Sequence, residues 1–146
     1  VNERAANVYA KGTYGNTMTT NPRAMDIATN VLHSLTPEIR ANIRGKGQEA
    51  LDKLNVLKAE LGGLITKVQG TGLLFSCELD PSFKCYGANS TEEYMRERGI
   101  GVIHGGINSL RFTPHFAITS AELDLIIAHI RVALLKGPRK SAAEAA

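Results

Sequence analysis

The chain has 146 residues, of which 43% are hydrophobic and 21% are charged, a balance typical of globular proteins that argues against extensive disorder. Its apolar runs are far shorter than the roughly 20 residues of a membrane-spanning helix, so no membrane partner is expected. The formal net charge is +3, but basic and acidic residues alternate along the chain. This pattern predicts a solvated surface and no nucleic-acid partner.

Two helices are predicted in the first half of the chain. Asn21-Pro22 is typical of a helix N-cap followed by proline at the first helical position, and apolar residues then recur at helical spacing up to residue 35. Thr36-Pro37 repeats this signal and begins a longer helix, which Gly62-Gly63 ends.

The second half of the chain alternates between strand and helix signals. Strands are predicted at residues 64–69 and 73–79, with Gly70-Thr71-Gly72 as the turn between them, and again at 101–104 and 108–113. Ser90 with Glu93, and Thr119 with Glu122, form capping-box patterns that begin two further helices. Paired neighbouring strands with helices on one side predict an α+β fold, a small antiparallel sheet covered by helices.

One candidate site is the Gly-, Thr- and Asn-rich segment 12–20, which leads into the first helix. Free backbone N–H groups and the helix dipole at such a position can bind an anion. Ordinary capping by Thr19, Thr20 and Asn21 is the alternative, and the spacing by itself favours it.

A second candidate is Arg111, which lies between apolar neighbours on a predicted strand and would suit a carboxylate ligand. The alternation leaves two other interpretations open, an arginine facing solvent or one paired with a structural glutamate. His104 precedes two glycines and could carry a proton, although the sequence shows no residue that would orient it. The two cysteines, Cys77 and Cys85, are expected to be reduced and to bind no metal.

Residues 13–24, Thr-Tyr-Gly-Asn-Thr-Met-Thr-Thr-Asn-Pro-Arg-Ala, resemble the T-H-G-S-T-F-G-G-N-P-L-A segment of class III aminotransferases. These are pyridoxal-phosphate enzymes of fold type I, and they include the ornithine, acetylornithine and 4-aminobutyrate aminotransferases. The motifs at residues 70–74, 101–103 and 110–114 resemble the C-terminal region of the same family, in the same order and at similar spacing. Thr19-Thr20 in place of Gly-Gly and His115 in place of a second proline depart from the family pattern.

The resemblance implies roles for three residues. Thr17 matches the threonine that binds the phosphate of pyridoxal 5'-phosphate in the neighbouring subunit of a homodimer, and Asn16 lies beside it. Arg111 matches the arginine that either binds a substrate carboxylate or pairs with an active-site glutamate. The implied reaction transfers an amino group from an amine or amino acid to a 2-oxo acid.

The resemblance also implies a domain organisation. Residues 1–35 would be the end of the large, cofactor-binding domain, residues 36–137 the C-terminal small domain, and residues 138–146 a flexible tail. In the family, the lysine that binds the cofactor precedes the part that this chain matches. We therefore expect no catalytic residue in this chain and no activity from it in isolation. The alternative is a non-catalytic interaction or regulatory module with the small-domain fold. The expected location is the cytoplasm, or else an organelle matrix.

Overall fold

The computed structural model describes residues 21–140, which fall into two compact units that divide between Thr36 and Pro37. The smaller unit contains helix α1 (Pro22–Ser34). Asn21 is its N-cap, as predicted, because the side-chain Oδ1 accepts a hydrogen bond of 3.0 Å from the backbone N–H of Arg23. None of the helices within residues 21–140 combines the length and the hydrophobicity of a membrane-spanning segment.

The larger unit begins with helix α2 (Pro37–Glu60), followed by strands β1 (Ile65–Thr71) and β2 (Leu74–Leu79), helix α3 (Thr91–Arg96), strands β3 (Ile103–Gly105) and β4 (Ser109–Phe112), and helix α4 (Ser120–Lys136). The four strands of this unit form one antiparallel sheet in the order β1-β2-β4-β3. The predicted order of elements and the α+β fold class are both confirmed.

The turn between β1 and β2 is shorter than predicted. Gly70 and Thr71 remain in strand β1, where they pair with Phe75 and Leu74, and only Gly72 and its neighbour at position 73 form the turn. Gly72 has a φ of +51°, a left-handed conformation that glycine adopts without strain. The prediction erred because a glycine within a strand resembles a turn residue when only the sequence is considered.

The core lies on one face of the sheet, beneath α2 and α4. Strands β2 and β4 supply alternate buried residues, and the rings of Phe75 and Phe112 stack with their centroids 5.4 Å apart. The helices contribute to the same core the buried side chains Leu54, Leu57, Leu123, Ile130 and Leu134. Because side chains alternate along a strand, Arg111, which lies between Leu110 and Phe112 on β4, is on the opposite face of the sheet, away from the core.

Helix α2 approaches the β1–β2 turn at a glycine. Gly47 occupies the buried stripe of α2 between Ile43 and Ala50. A Cβ atom at Gly47 would lie 2.2 Å from the carbonyl oxygen of Gly72, well inside the closest approach of real atoms. The absence of a side chain at this one position therefore sets the distance between helix and turn.

The loop after β2 is held in place by one side chain. Asn108 donates from its Nδ2 to the carbonyl oxygens of Leu79, Asp80 and Phe83 at 3.1–3.3 Å. Its Oδ1 accepts a hydrogen bond of 3.0 Å from the backbone N–H of Cys85. These contacts connect Asn108 to the end of β2 and to the loop that follows it, and they help to satisfy the backbone groups there.

The capping predictions have different outcomes at the two later helices. At α4 the capping box is complete, since Thr119 and Glu122 each accept a hydrogen bond from the other's backbone N–H. At α3 the Ser90 side chain accepts from the Glu93 N–H, but the Glu93 carboxylate accepts from Asn89. Asn89 has a φ of 54°. The predicted reciprocal bond to Ser90 is therefore replaced by one to the preceding residue.

The first residues of the predicted tail contact the loop after β2. The Arg139 guanidinium lies 3.7 Å from the centroid of the Phe83 ring and donates to the Ser82 hydroxyl at 2.9 Å. The backbone N–H of Lys140 donates to the Ser82 carbonyl at 2.8 Å. The chain thus remains attached to the larger unit up to Lys140, and the rest of the predicted tail lies outside the described residues.

Candidate functional site

Arg111 lies on β4, between the two sequence neighbours whose side chains enter the core, Leu110 and Phe112. Because side chains alternate along a strand, Arg111 projects from the opposite, exposed face of the sheet. It pairs with Ser76 on β2 and with Ile103 on β3. A residue with a strand on either side has a fixed backbone position, which suits a group that must orient a ligand.

The side chain of Arg111 lies close to β3 at a glycine. A Cβ atom at Gly105 would be 3.6 Å from the Cβ and Cδ atoms of Arg111 and 3.9 Å from its Nε. A methyl group added at Gly105 would therefore make ordinary van der Waals contact with the arginine. No carboxylate among residues 21–140 forms an ion pair with Arg111. Within residues 21–140, Arg111 is therefore not paired with a structural glutamate, which was one of the alternatives left open by the sequence.

Arg111 borders two open pockets of the larger unit. The first is about 290 Å³ in volume and is lined by residues from α3, β3, β4 and α4. The second is about 410 Å³, lies over β1, β2 and β4, and includes Gln69, Ser76 and Glu78 in its wall. Both volumes are of the order of small-molecule sites, which span about 300–1,000 Å³. An exposed guanidinium beside these pockets can bind a carboxylate through two parallel hydrogen bonds.

His104 does have an orienting partner, contrary to the interpretation of the sequence. Its Nδ1 lies 3.1 Å from Oε2 of Glu92 on α3, and its ring packs against Tyr86 with the centroids 4.0 Å apart. The other oxygen of Glu92 binds the guanidinium of Arg96. Glu92 is buried, so two cationic or hydrogen-bonding partners balance the cost of removing its carboxylate from water.

Glu92 does not stand out in the sequence, because the helix that contains it resembles a solvated surface helix. The one available signal was the spacing of Glu92 and Arg96, four residues apart on one helix face. His104 pairs with the buried Leu110, whereas Ile103 pairs with Arg111. The two candidate residues of this region therefore project towards different faces of the sheet, and the structure does not bring them together.

The remaining predicted site residues, Asn16 and Thr17, lie outside the described residues. The described part begins at Asn21, whose side chain caps α1 by accepting a hydrogen bond from the Arg23 backbone N–H. The capping alternative thus holds for Asn21, while the anion-binding hypothesis for the preceding segment stays a prediction.

The two cysteines are free and buried in the larger unit. Burial raises the pKa of the Cys77 thiol to about 12. Burial, with a smaller contribution from the Glu92 carboxylate, raises the pKa of Cys85 to about 12 as well. Neither thiol is a reactive nucleophile in this environment. Over the described residues, no group of three or more His, Cys, Asp or Glu side chains could hold a metal ion.

A charged network joins α2 to α4 away from the pockets beside Arg111. Glu49 accepts hydrogen bonds from Lys46 at 2.7 Å and from the Ser120 hydroxyl at 3.0 Å, and it pairs with Lys53 at 2.8 Å. Lys53 also pairs with Asp124. The hydrogen bonds from Lys46 and then Lys53 lower the pKa of the Glu49 carboxyl from 4.5 to about 2.

Comparison with known proteins supports the resemblance over almost the whole chain. Residues 1–134 match the sequence model of the family described as Aminotransferase class-III. A succinylornithine transaminase of Citrobacter koseri is 30% identical over 122 residues, which are 83% of this chain and 30% of that protein. A second one, of Salmonella enteritidis, is 29% identical over 119 residues. The chain therefore spans about 30% of the length of these relatives.

Solved structures agree in fold. An N-acetylornithine aminotransferase from Stenotrophomonas maltophilia superposes with a TM-score of 0.66 at 26% identity, over 79% of this chain and 31% of that one. The ornithine δ-aminotransferase of Plasmodium falciparum, at 24% identity, has a TM-score of 0.70 over 88% of this chain and 33% of its own. The family match, the order of motifs and the shared fold lead to one conclusion: this chain belongs to the class III aminotransferases.

Proposed function

We propose that this chain is the C-terminal part of an aminotransferase that transfers an amino group from an amine or amino acid to a 2-oxo acid with pyridoxal 5'-phosphate. The observation that carries the proposal is the family match over residues 1–134, together with its similarity to succinylornithine transaminases. In this arrangement residues 1–35 end the large domain, and residues 36–137 form the small domain. The cytoplasm is the proposed location.

Arg111 is the proposed substrate-binding residue. Its guanidinium is exposed, is fixed on a strand with neighbours on both sides, borders two pockets and has no acidic partner among residues 21–140. A carboxylate of the amino donor or of the 2-oxo acid would supply the missing anion. In the longer parent protein, an active-site glutamate would compete for the same guanidinium when no substrate carboxylate is present.

Thr17 and Asn16 are the proposed cofactor-binding residues. A hydroxyl and a carboxamide in a segment that leads to a capped helix form a donor set that fits a phosphate group. The cofactor supplies the electron sink of the reaction, while these side chains hold its phosphate and so orient it. Because the family shares the site between two subunits, the parent is proposed to be a homodimer, which light scattering of the full-length protein tests.

The first experiment measures the purified 146-residue chain with pyridoxal phosphate, an amino donor and 2-oxoglutarate. No amino transfer is expected, and borohydride reduction should leave no cofactor attached to a lysine of residues 1–146. A reduced cofactor adduct on one of these lysines, accompanied by turnover, would show that the chain contains the catalytic lysine. This result would refute the proposal that the catalytic lysine belongs to another part of the parent enzyme. The intact mass of the natural protein separates a longer enzyme from the non-catalytic module.

The second experiment measures Arg111→Gln in the full-length parent enzyme. A charge-assisted hydrogen bond contributes about 1.5–3 kcal/mol, so kcat/KM for carboxylate substrates should fall by roughly ten- to a hundredfold. Arg98→Gln is the matched control, because Arg98 stacks on the Tyr94 ring at 3.5 Å and lines neither pocket beside Arg111. Equal effects of the two substitutions would contradict the substrate-binding role.

Thr17→Ala in the same enzyme tests the cofactor site. Loss of the phosphate contact should weaken the affinity for pyridoxal phosphate by a similar factor of roughly ten or more. An unchanged affinity would contradict the role of Thr17 and leave the role of Arg111 unaffected.

A further inference from the structure

Helix α4 has apolar side chains on two opposite faces. One face enters the core with the buried residues Leu123, Ile130, Ala133 and Leu134. The other face has a stripe of exposed apolar residues, which we call the outer stripe of α4: Ala121, Leu125, Ala128, Val132 and Leu135. A surface helix of a globular protein normally has polar residues on the side away from the core. The outer stripe is therefore unusual for a helix face in contact with water.

The outer stripe has the spacing of a helix-packing surface. Its successive members are four, three, four and three residues apart, which is the spacing of the a and d positions of paired helices. At 3.6 residues per turn, these positions fall within roughly 80° of the helix surface. Leu125, Val132 and Leu135 are 51%, 37% and 60% exposed, so apolar area remains uncovered along the whole stripe. A strip of this width fits one other helix.

The outer stripe is complementary to a second copy of itself when the two helices run antiparallel. Its sequence is nearly symmetric about position 130. With position 130 of each copy at the centre, Leu125 lies opposite Leu135, and Ala128 lies opposite Val132. Large side chains thus meet at both ends, and a small side chain meets a larger one in the middle. Such a contact uses the same surface on both copies and closes after two of them.

The charges beside the outer stripe favour the same orientation. Glu122 lies in the first turn of α4 and the exposed Lys136 in its last turn. An antiparallel pair would place each Glu122 near Lys136 of the other copy, whereas a parallel pair would place like charges together. The helix dipoles also attract each other in the antiparallel arrangement. Asp124 and Arg131, on the other side of the stripe, already form ion pairs with residues of α2.

We propose that the outer stripe of α4 is an interaction surface for a second copy of this chain, bound as an antiparallel helix pair. A second copy is the occupant that fits because the stripe supplies both halves of the contact, with apolar layers that match in size and end charges of opposite sign. The inference does not depend on the proposed function, since no residue of the stripe lines either pocket beside Arg111. It also uses a different part of the sequence from the segment around Thr17 that is proposed to bind the cofactor.

Analytical ultracentrifugation of the 146-residue chain over a range of concentrations measures the association. The mean mass of the wild-type chain should rise towards twice the monomer mass as the concentration increases. Val132→Glu places a carboxylate in the middle of the stripe, on a residue outside the core. Association should weaken by roughly tenfold or more, because that carboxylate would be buried against apolar side chains of the other copy.

Val31→Glu on α1 is the matched control, because Val31 is also exposed, at 46%, and belongs to a different apolar surface. This variant should associate as the wild-type chain does, and circular dichroism checks that both variants keep their helices. The inference is refuted if the wild-type chain stays monomeric at every concentration, or if Val132→Glu associates as strongly as the wild type. In either case the stripe would belong to another partner or to another part of the parent. Loss of association in Val31→Glu alone would assign the contact to α1 and would refute the inference as well.

Two cysteine substitutions test the orientation of the pair. A mixture of Leu125→Cys and Leu135→Cys should form a disulfide-linked dimer under mild oxidation, whereas neither variant alone should do so. In a parallel pair, positions 125 and 135 would be about 15 Å apart, beyond the roughly 7 Å between Cα atoms that a disulfide can bridge. The native Cys77 and Cys85 are buried and so do not compete. Disulfide-linked dimers of one variant alone, in place of the mixed dimer, would refute the antiparallel arrangement.

Discussion

Replacing Gly47 by alanine probes the closest backbone contact of the larger unit. The new Cβ would lie 2.2 Å from the Gly72 carbonyl oxygen, about 0.8 Å inside the 3.0 Å that real Cβ contacts respect. The Cβ is bonded directly to the helix backbone and the carbonyl oxygen is itself a backbone atom, so no side-chain rotation can separate them. The helix and the turn must separate, and overpacking of this kind costs about 1–3 kcal/mol.

Gly45→Ala on the same helix is the matched control. A Cβ at Gly45 meets no other atom within 4 Å, so this variant gains the helix propensity of alanine, about 1 kcal/mol, without a clash. Gly47→Ala gains the same propensity and also incurs the clash. The difference between the two unfolding free energies therefore isolates the packing cost, at about 1–3 kcal/mol.

Thermal unfolding of the 146-residue chain, followed by circular dichroism, measures this difference. For a domain near 100 residues, 1 kcal/mol corresponds to about 4–8 °C in Tm, so Gly47→Ala should melt at least about 4 °C below Gly45→Ala. Urea unfolding provides the free energies independently. Equal stabilities of the two variants would refute the view that contact between α2 and Gly72 is at its steric limit.

Three further predictions concern charge, hydrogen bonding and thiol chemistry. Because the folded pKa of Glu49 is about 2, its contribution to stability is complete above about pH 4.5 and is lost towards pH 2, so Glu49→Gln should flatten that part of the pH profile of urea unfolding. Asn108→Asp replaces a donor that faces three carbonyl oxygens by a carboxylate and should lower the free energy of unfolding by about 3 kcal/mol; stability equal to wild type would contradict the anchoring role. Cys77 and Cys85, with pKa values of about 12, should resist iodoacetamide at neutral pH until urea unfolds the chain, and mass spectrometry would detect any earlier labelling.

Local signals predicted most of the fold. The helix beginning at Asn21, the complete capping box of Thr119 with Glu122, and the positions of the strands along the chain could be predicted because caps and period-two alternation depend on neighbouring residues. Gly47 was overlooked because the reason for its identity lies in the turn at Gly72, 25 positions further along the chain.

The candidate site was predictable only in part, for the same physical reason. Arg111 stood out because a charge between two core residues of a strand requires an explanation. Glu92 did not, since its burial and its contact with His104 arise from tertiary packing of α3 against the sheet edge. In the sequence, Glu92 and Arg96 resemble two independent surface charges, whereas in the structure they form an ion pair.

The strand order β1-β2-β4-β3 has a consequence for how the chain folds. The outer pairings, β1 with β2 and β3 with β4, are local hairpins that close across a few residues, whereas β2 and β4 must meet across a segment of about 30 residues. Loop-closure entropy therefore makes the pairing of β2 with β4 the step of folding with the largest entropic cost. Arg111 lies in this pairing opposite Ser76, so it acquires a strand on either side only when the two hairpins join.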